Sequence, residues 1–160
     1  MSKRVVIMSG IPGSGKDTYA HSLPMPSGHK ALISADQFFT MSDGYYKFDP
    51  SKLEQAHADC FRRFIEQVAC PWKDIPPPLI VVCNTNTEAW EIAPYYQASL
   101  AFGWEPEIIT LRCGTMEEVA KCAQRNIHGC PPAAVYAMHR RLKERRLPPF
   151  WKSTVEWVKV

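Results

Sequence analysis

Between Val5 and Ala20 the chain reads VVIMSGIPGSGKDTYA. Gly10, Gly15 and Lys16 stand there in GxxxxGK spacing, with Gly13 between them, after a β-branched apolar run and before a helical segment. Such glycines let the backbone curl until several N–H groups point into one hollow. The start of the following helix adds partial positive charge, and Lys16 adds a full one. That chemistry suits the phosphates of a nucleoside triphosphate. The expected binding residues are Gly10, Ile11, Pro12, Gly13, Ser14, Gly15, Lys16, Asp17 and Thr18. One position departs from the pattern: the Ser or Thr that would bind the nucleotide's Mg²⁺ is Asp17, with Thr18 one step later.

Other residues with chemical potential lie where apolar runs stop. Asp36 follows the run Ala31-Leu32-Ile33-Ser34. It reads either as a base that takes a proton from an acceptor hydroxyl or as a cap on the next segment. Arg125 ends a helical segment beside Asn126, His128 and Gly129. It serves either to neutralise charge as a phosphoryl group moves or as the ordinary cation at a helix C-terminus. The aromatic residues Phe38, Phe39, Tyr45, Tyr46 and Phe48 suit nucleobase stacking and core or lid packing equally. His57 is expected at the edge of the core. The basic run from His139 to Arg146 reads as a phosphate-backbone contact or as a solvated helix face.

The elements that must position these residues alternate. Strands are predicted over residues 4–9, 31–34, 79–82, 107–111 and 155–160. A short helix follows the glycine loop and stops at Pro24 and Pro26. Asp49-Pro50 opens a helix that places Leu53, Ala56, His57, Cys60, Phe61, Phe64 and Val68 on one face. A turn at Thr87 precedes a helix expected from Pro94 to Gly103. Thr115 to Glu118 forms a capping box for a helix to Arg125, and a basic helix runs from Pro132 to Arg146. This order predicts an α/β fold of the P-loop NTPase type, a parallel β-sheet sandwiched by helices. Ligands bind such sheets at the carboxyl ends of the strands.

Composition bounds the rest. The chain has 160 residues, 46% of them apolar, and a net charge of +3, which fits one globular domain and does not by itself signal nucleic-acid binding. The six cysteines form no CxxC pair, so zinc and a disulfide scaffold are not expected. No stretch reaches the apolar length of a membrane span. The N-terminus runs straight into a strand, so a signal peptide is not expected and the predicted location is cytoplasmic.

The segments GIPGSGK, ISADQFF, YYKFDPSKLEQAH, VVCNTNTEAWEIAPYY and RNIHG occur in that order. Together they resemble the polynucleotide-kinase-like P-loop ATPases over roughly residues 4–140. Members of that family transfer the ATP γ-phosphate to a 5′-hydroxyl of RNA or DNA. The resemblance implies ATP and Mg²⁺ as cofactors and Gly10–Lys16 as the phosphate loop. It implies Asp36 as general base, Arg125 as the arginine of a small helical lid (about residues 113–140), and Asn84 and Asn86 near the reacting centre.

Three positions depart from the family pattern. Asp17 replaces the loop Ser/Thr, and Cys83 replaces the acidic residue after the third strand. Either the metal's anionic ligand has moved from the strand end to Asp17, or the change is tolerated drift, since some phage-type nucleoside-monophosphate kinases also resemble GKDT here. Phe39 occupies the acceptor-site position where phage-type members carry a phosphate-gripping Arg. Arg62, Arg63 and the basic helix remain as other phosphate contacts. The expected partners are ATP and either a nucleic-acid 5′ end or a small hydroxyl acceptor. A nucleotide-binding module with a degraded metal site is the non-enzymatic alternative.

Overall fold

A computed structural model describes residues 2–25 and 27–159. Pro26, one of the two expected helix stops, and Val160, the end of the expected last strand, lie outside them. Five strands form one parallel sheet: β1 (Arg4–Ser9), β2 (Lys30–Ile33), β3 (Leu79–Cys83), β4 (Glu105–Arg112) and β5 (Ser153–Trp157). Their spatial order is β2-β3-β1-β4-β5, with Ile7 of the central strand level with Val82 on one side and Ile108 on the other.

Alternation along each strand sorts side chains onto two faces. Val5, Ile7, Ile80, Val82 and Ile108 pack on α2 (Leu53–Ala69) and α3 (Ala89–Ala101). Val6, Met8, Val81, Cys83, Ile109 and Leu111 pack on α1 (Lys16–Ser22), α4 (Met116–Arg125) and α5 (Pro132–Glu144). Both faces are covered at β1 and β3, which is why these strands read as continuous apolar runs, whereas the edge strand β5 is exposed along its length.

The helices differ from expectation where tertiary packing overrides local signals. Asp49 does cap the chain before Pro50, accepting from the Ser51 N–H at 3.0 Å. Of the predicted α2 stripe, Ala56, Cys60, Phe64 and Val68 are buried, while Leu53 and His57 are exposed. They lie in the first turns, beyond the sheet edge, and border the cavity described below. α3 is one helix with Pro94 inside it rather than a helix starting there. The proline removes one hydrogen bond near the helix start, and burial of Ile92, Tyr95 and Tyr96 offsets that loss. β4 begins two residues earlier than expected, β5 spans Ser153–Trp157, and α5 ends at Glu144. No helix among the described residues is long and apolar enough to cross a membrane.

Candidate active site

The loops that leave the carboxyl ends of β1, β2 and β3 meet above the sheet, together with the turn after α4. They border a cavity of about 890 Å³, near the upper end of the usual range for small-molecule sites.

The glycine loop is built by close approach. Gly13 has φ +77°, and a Cβ there would lie 2.0 Å from the carbonyl oxygen of Cys122 in α4. Gly15, at φ +91°, turns the chain into α1. The Gly10 N–H donates to the Thr85 carbonyl at 2.9 Å, tying the loop to the end of β3. Lys16 Nζ folds back to donate to the Ile11 carbonyl at 3.0 Å. Burial lowers the Lys16 pKa, and the nearby carboxylates of Asp17 and Asp36 oppose that shift. The half-buried ammonium has a neutral carbonyl as its hydrogen-bond partner, which leaves its charge available to an incoming anion, while the carboxylates of Asp17 and Asp36 offset part of that attraction.

Asp36 sits in a 3₁₀ turn (Ala35–Phe39) after β2. Gln37, not Asp36, closes the turn, its Oε1 accepting from the Ser34 N–H at 3.2 Å. The Asp36 side chain is 49% exposed and borders the cavity. Its Oδ1 accepts from the Tyr46 hydroxyl at 3.2 Å, and Oδ2 lies 3.5 Å from His128 Nε2. Asn84 holds the turn in place, its Oδ1 accepting from the Ala35 N–H at 2.9 Å. Arg125 reaches from the end of α4 so that its Nε donates to the Gly13 carbonyl. It borders the same cavity.

Two expected acceptor contacts are displaced. Phe39 is 4% exposed and packs edge-on against Phe38 and Phe48 in the core, away from the cavity. Asn86 is 2% exposed, and its amide donates to the Met8 carbonyl at 2.8 Å, so it fastens β1 to the loop after β3. His57 borders the cavity instead of the core. Arg62 pairs with Asp59 and Glu66 on the exposed face of α2, and Arg63 pairs with Asp59 and donates to the Ser34 carbonyl; neither lines the cavity. From the basic run, Arg145 turns inward and donates to Ser9 Oγ and the Asn86 carbonyl at 2.7 Å and to Thr110 Oγ1 at 2.9 Å. Burial lowers its pKa to about 10.

The metal-side departures are in contact. The Cys83 thiol donates to Asp17 Oδ1 at 3.0 Å. Burial, reinforced by the Asp17 charge, pushes the thiol well above its ordinary range, so it stays neutral. Among the described residues no three His, Cys, Asp or Glu side chains cluster as a metal site. Mg²⁺ in nucleotide sites commonly takes one or two carboxylates plus phosphate oxygens; Asp17 and Asp36 are carboxylates on the cavity wall.

Tyr46, His128 and Arg145 stand in the aromatic run, the RNIHG segment and the basic run, but nothing in the sequence points to their partners. An isolated antiparallel bridge, Thr40 to Tyr46, folds the aromatic run back over Asp36.

A parallel sheet with a glycine loop closing its central strand and a lysine at the loop's end defines the P-loop NTPase fold. The AAA domain family matches residues 5–149, and the chain belongs to this family of polynucleotide-kinase-like P-loop proteins. It is 32% identical over 125 residues to NEDD4-binding protein 2 of Homo sapiens, covering 78% of this chain and 7% of that protein. A sugar kinase from Janibacter sp. HTCC2649 shares the fold at a TM-score of 0.62 and 19% identity, over 99% of this chain and 86% of that one. A chain of the Pnkp1/Rnl/Hen1 RNA repair complex does so at 0.65 and 17%, over 89% and 44%.

Proposed function

We propose that this domain is an ATP-dependent phosphotransferase that moves the γ-phosphate to a 5′-hydroxyl of RNA or DNA. The observation that carries this reading is the placement of the Asp36 carboxylate on the same cavity as the glycine loop and Lys16. The loop amides and Lys16 hold the triphosphate, Asp36 accepts the proton of the attacking hydroxyl, and Arg125 is placed to neutralise charge on the phosphoryl group in flight. Within the expected lid, residues 113–140, the helices are packed on the sheet through Val119, Cys122 and Val135, and Arg125 with the turn after it is the part that borders the phosphate site. Such transfer rests on positioning and charge stabilisation. Asp17 is the residue that would hold Mg²⁺, which when bound neutralises charge on the phosphate oxygens.

A second reading, a kinase for a small hydroxyl acceptor, draws support from the walls of the cavity. Its lysines and arginines among the described residues are Lys16, Arg125 and Lys159. Lys159 follows β5, at the opposite sheet edge from β2 and Asp36. Beside Asp36 the wall is Tyr46, Phe48, Leu53, His57 and His128, which offers ring surface and no permanent cation for an acceptor phosphate. Labelled ATP incubated with 5′-hydroxyl oligonucleotides and, separately, with small hydroxyl compounds decides between them. Label on the oligonucleotide end is the expected result; label on small acceptors alone selects the second reading. Nucleotide binding without transfer to either, across Mg²⁺ and Mn²⁺ concentrations, leaves a binding module.

The contact between Asp17 and Cys83 gives a paired test. Asp17→Ser is expected to lower Mg²⁺-dependent turnover about a hundredfold, in line with the several kcal/mol a metal supplies. Adding Cys83→Asp is expected to restore part of it, because the new carboxylate occupies the other side of the same contact. Parent-level activity of Asp17→Ser shows that the ligand did not move.

A further inference from the structure

The Asp36 carboxylate is approached from two sides by residues distant in sequence. Tyr46 donates to Oδ1 at 3.2 Å from the segment that folds back after the 3₁₀ turn. His128 stands 3.5 Å from Oδ2 and comes from the turn between α4 and α5. The two rings pack on each other with centroids 4.6 Å apart and planes at 54°. The turn is itself fixed: Asn126 Oδ1 accepts from the N–H groups of His128 and Cys130 at 3.1 and 3.2 Å. Its Nδ2 donates to the Cys130 carbonyl at 2.8 Å. One residue before it, Arg125 holds the Gly13 carbonyl of the phosphate loop.

The His128 tautomer follows from its surroundings. Nδ1 is buried with no hydrogen-bond partner among the described residues. A proton on Nδ1 would bury an unpaired donor and set the Nε2 lone pair against a carboxylate. A proton on Nε2 points a donor at Oδ2 instead. The Tyr46 phenol also remains a donor through the neutral range, since burial, with the Asp36 charge adding to it, raises its pKa to about 12.

We propose that Tyr46 and His128 are positioning residues which hold the Asp36 carboxylate between them, so that the turn carrying Arg125 sets the base and the phosphate loop in one geometry. Each carboxylate oxygen keeps a lone pair beyond the one it offers its donor, so the acceptor hydroxyl still finds an acceptor atom. Without the two donors the half-exposed side chain is free to change rotamer, and the base no longer faces the attacking oxygen.

This inference rests on Asp36 acting as the base, and a double-mutant cycle keeps the two separable. With the acceptor that the labelling panel selects, Tyr46→Phe is expected to lower kcat roughly ten- to hundredfold, the worth of one hydrogen bond to a charged group, and His128→Leu, which removes a looser contact, roughly five- to tenfold. KM for ATP and the rise in Tm on adding ATP are expected to stay at parent values. His128→Gln, which keeps a side-chain N–H donor, is expected to recover much of the loss. In the Asp36→Asn background, Tyr46→Phe and His128→Leu are expected to have little further effect, because there is no base left to orient. Parent-like kcat for both single variants, or undiminished effects in the Asp36→Asn background, overturns the positioning role while leaving the base in place. Full activity of Asp36→Asn alone overturns the base assignment, and this inference with it.

Discussion

Lys16→Ala is expected to lower phosphoryl transfer by about a thousandfold, the upper range for removing one charge-stabilising donor from a preorganised site. The free protein is expected to lose no stability. The ammonium has one carbonyl partner, at 3.0 Å, and burial holds its pKa below the ordinary lysine value. A half-buried cation whose hydrogen-bond partner is a neutral carbonyl contributes little to the unliganded fold and is well matched to arriving phosphate oxygens. The variant's Tm without nucleotide should equal or exceed the parent's, while the rise in Tm on adding ATP should be lost. A large drop in Tm without nucleotide would make Lys16 a structural residue and remove the central premise of the site.

Asp36→Asn is expected to reduce kcat by about a hundred- to ten-thousandfold, the range for loss of a general acid or base. Stability should change little, since the side chain is half exposed and its turn is closed by Gln37 and held by Asn84. ATP should bind as tightly as before or slightly better, because a negative charge near Lys16 and the triphosphate is gone. Equilibrium titration with ATP and single-turnover transfer separate the two effects. Equal losses in ATP affinity and in rate would point to a role for Asp36 in nucleotide binding instead of proton removal.

The parts of this protein legible in sequence are those encoded locally. Gly13 and Gly15 hold backbone conformations that other residues resist. The α2 stripe from Ala56 to Val68 and the unbroken runs of β1 and β3 state their burial through spacing alone. Pro94 shows the limit of local signals: read by itself it starts a helix, yet packing of the residues around it carries the helix through.

Spacing names the face of an element but not what that face meets. Phe39 and Asn86 stand where acceptor contacts were expected and are buried as packing and fastening residues, while Arg145 turned inward from a basic run. Tyr46 and His128 acquire meaning only because a short bridge and an asparagine-pinned turn bring both to one carboxylate. The sequence by itself determined the phosphate loop, the parallel sheet and the candidate base. The tertiary structure alone decided which side chains share the cavity, because contacts across tens of residues are set by packing the two sheet faces, and one-dimensional periodicity carries no record of them.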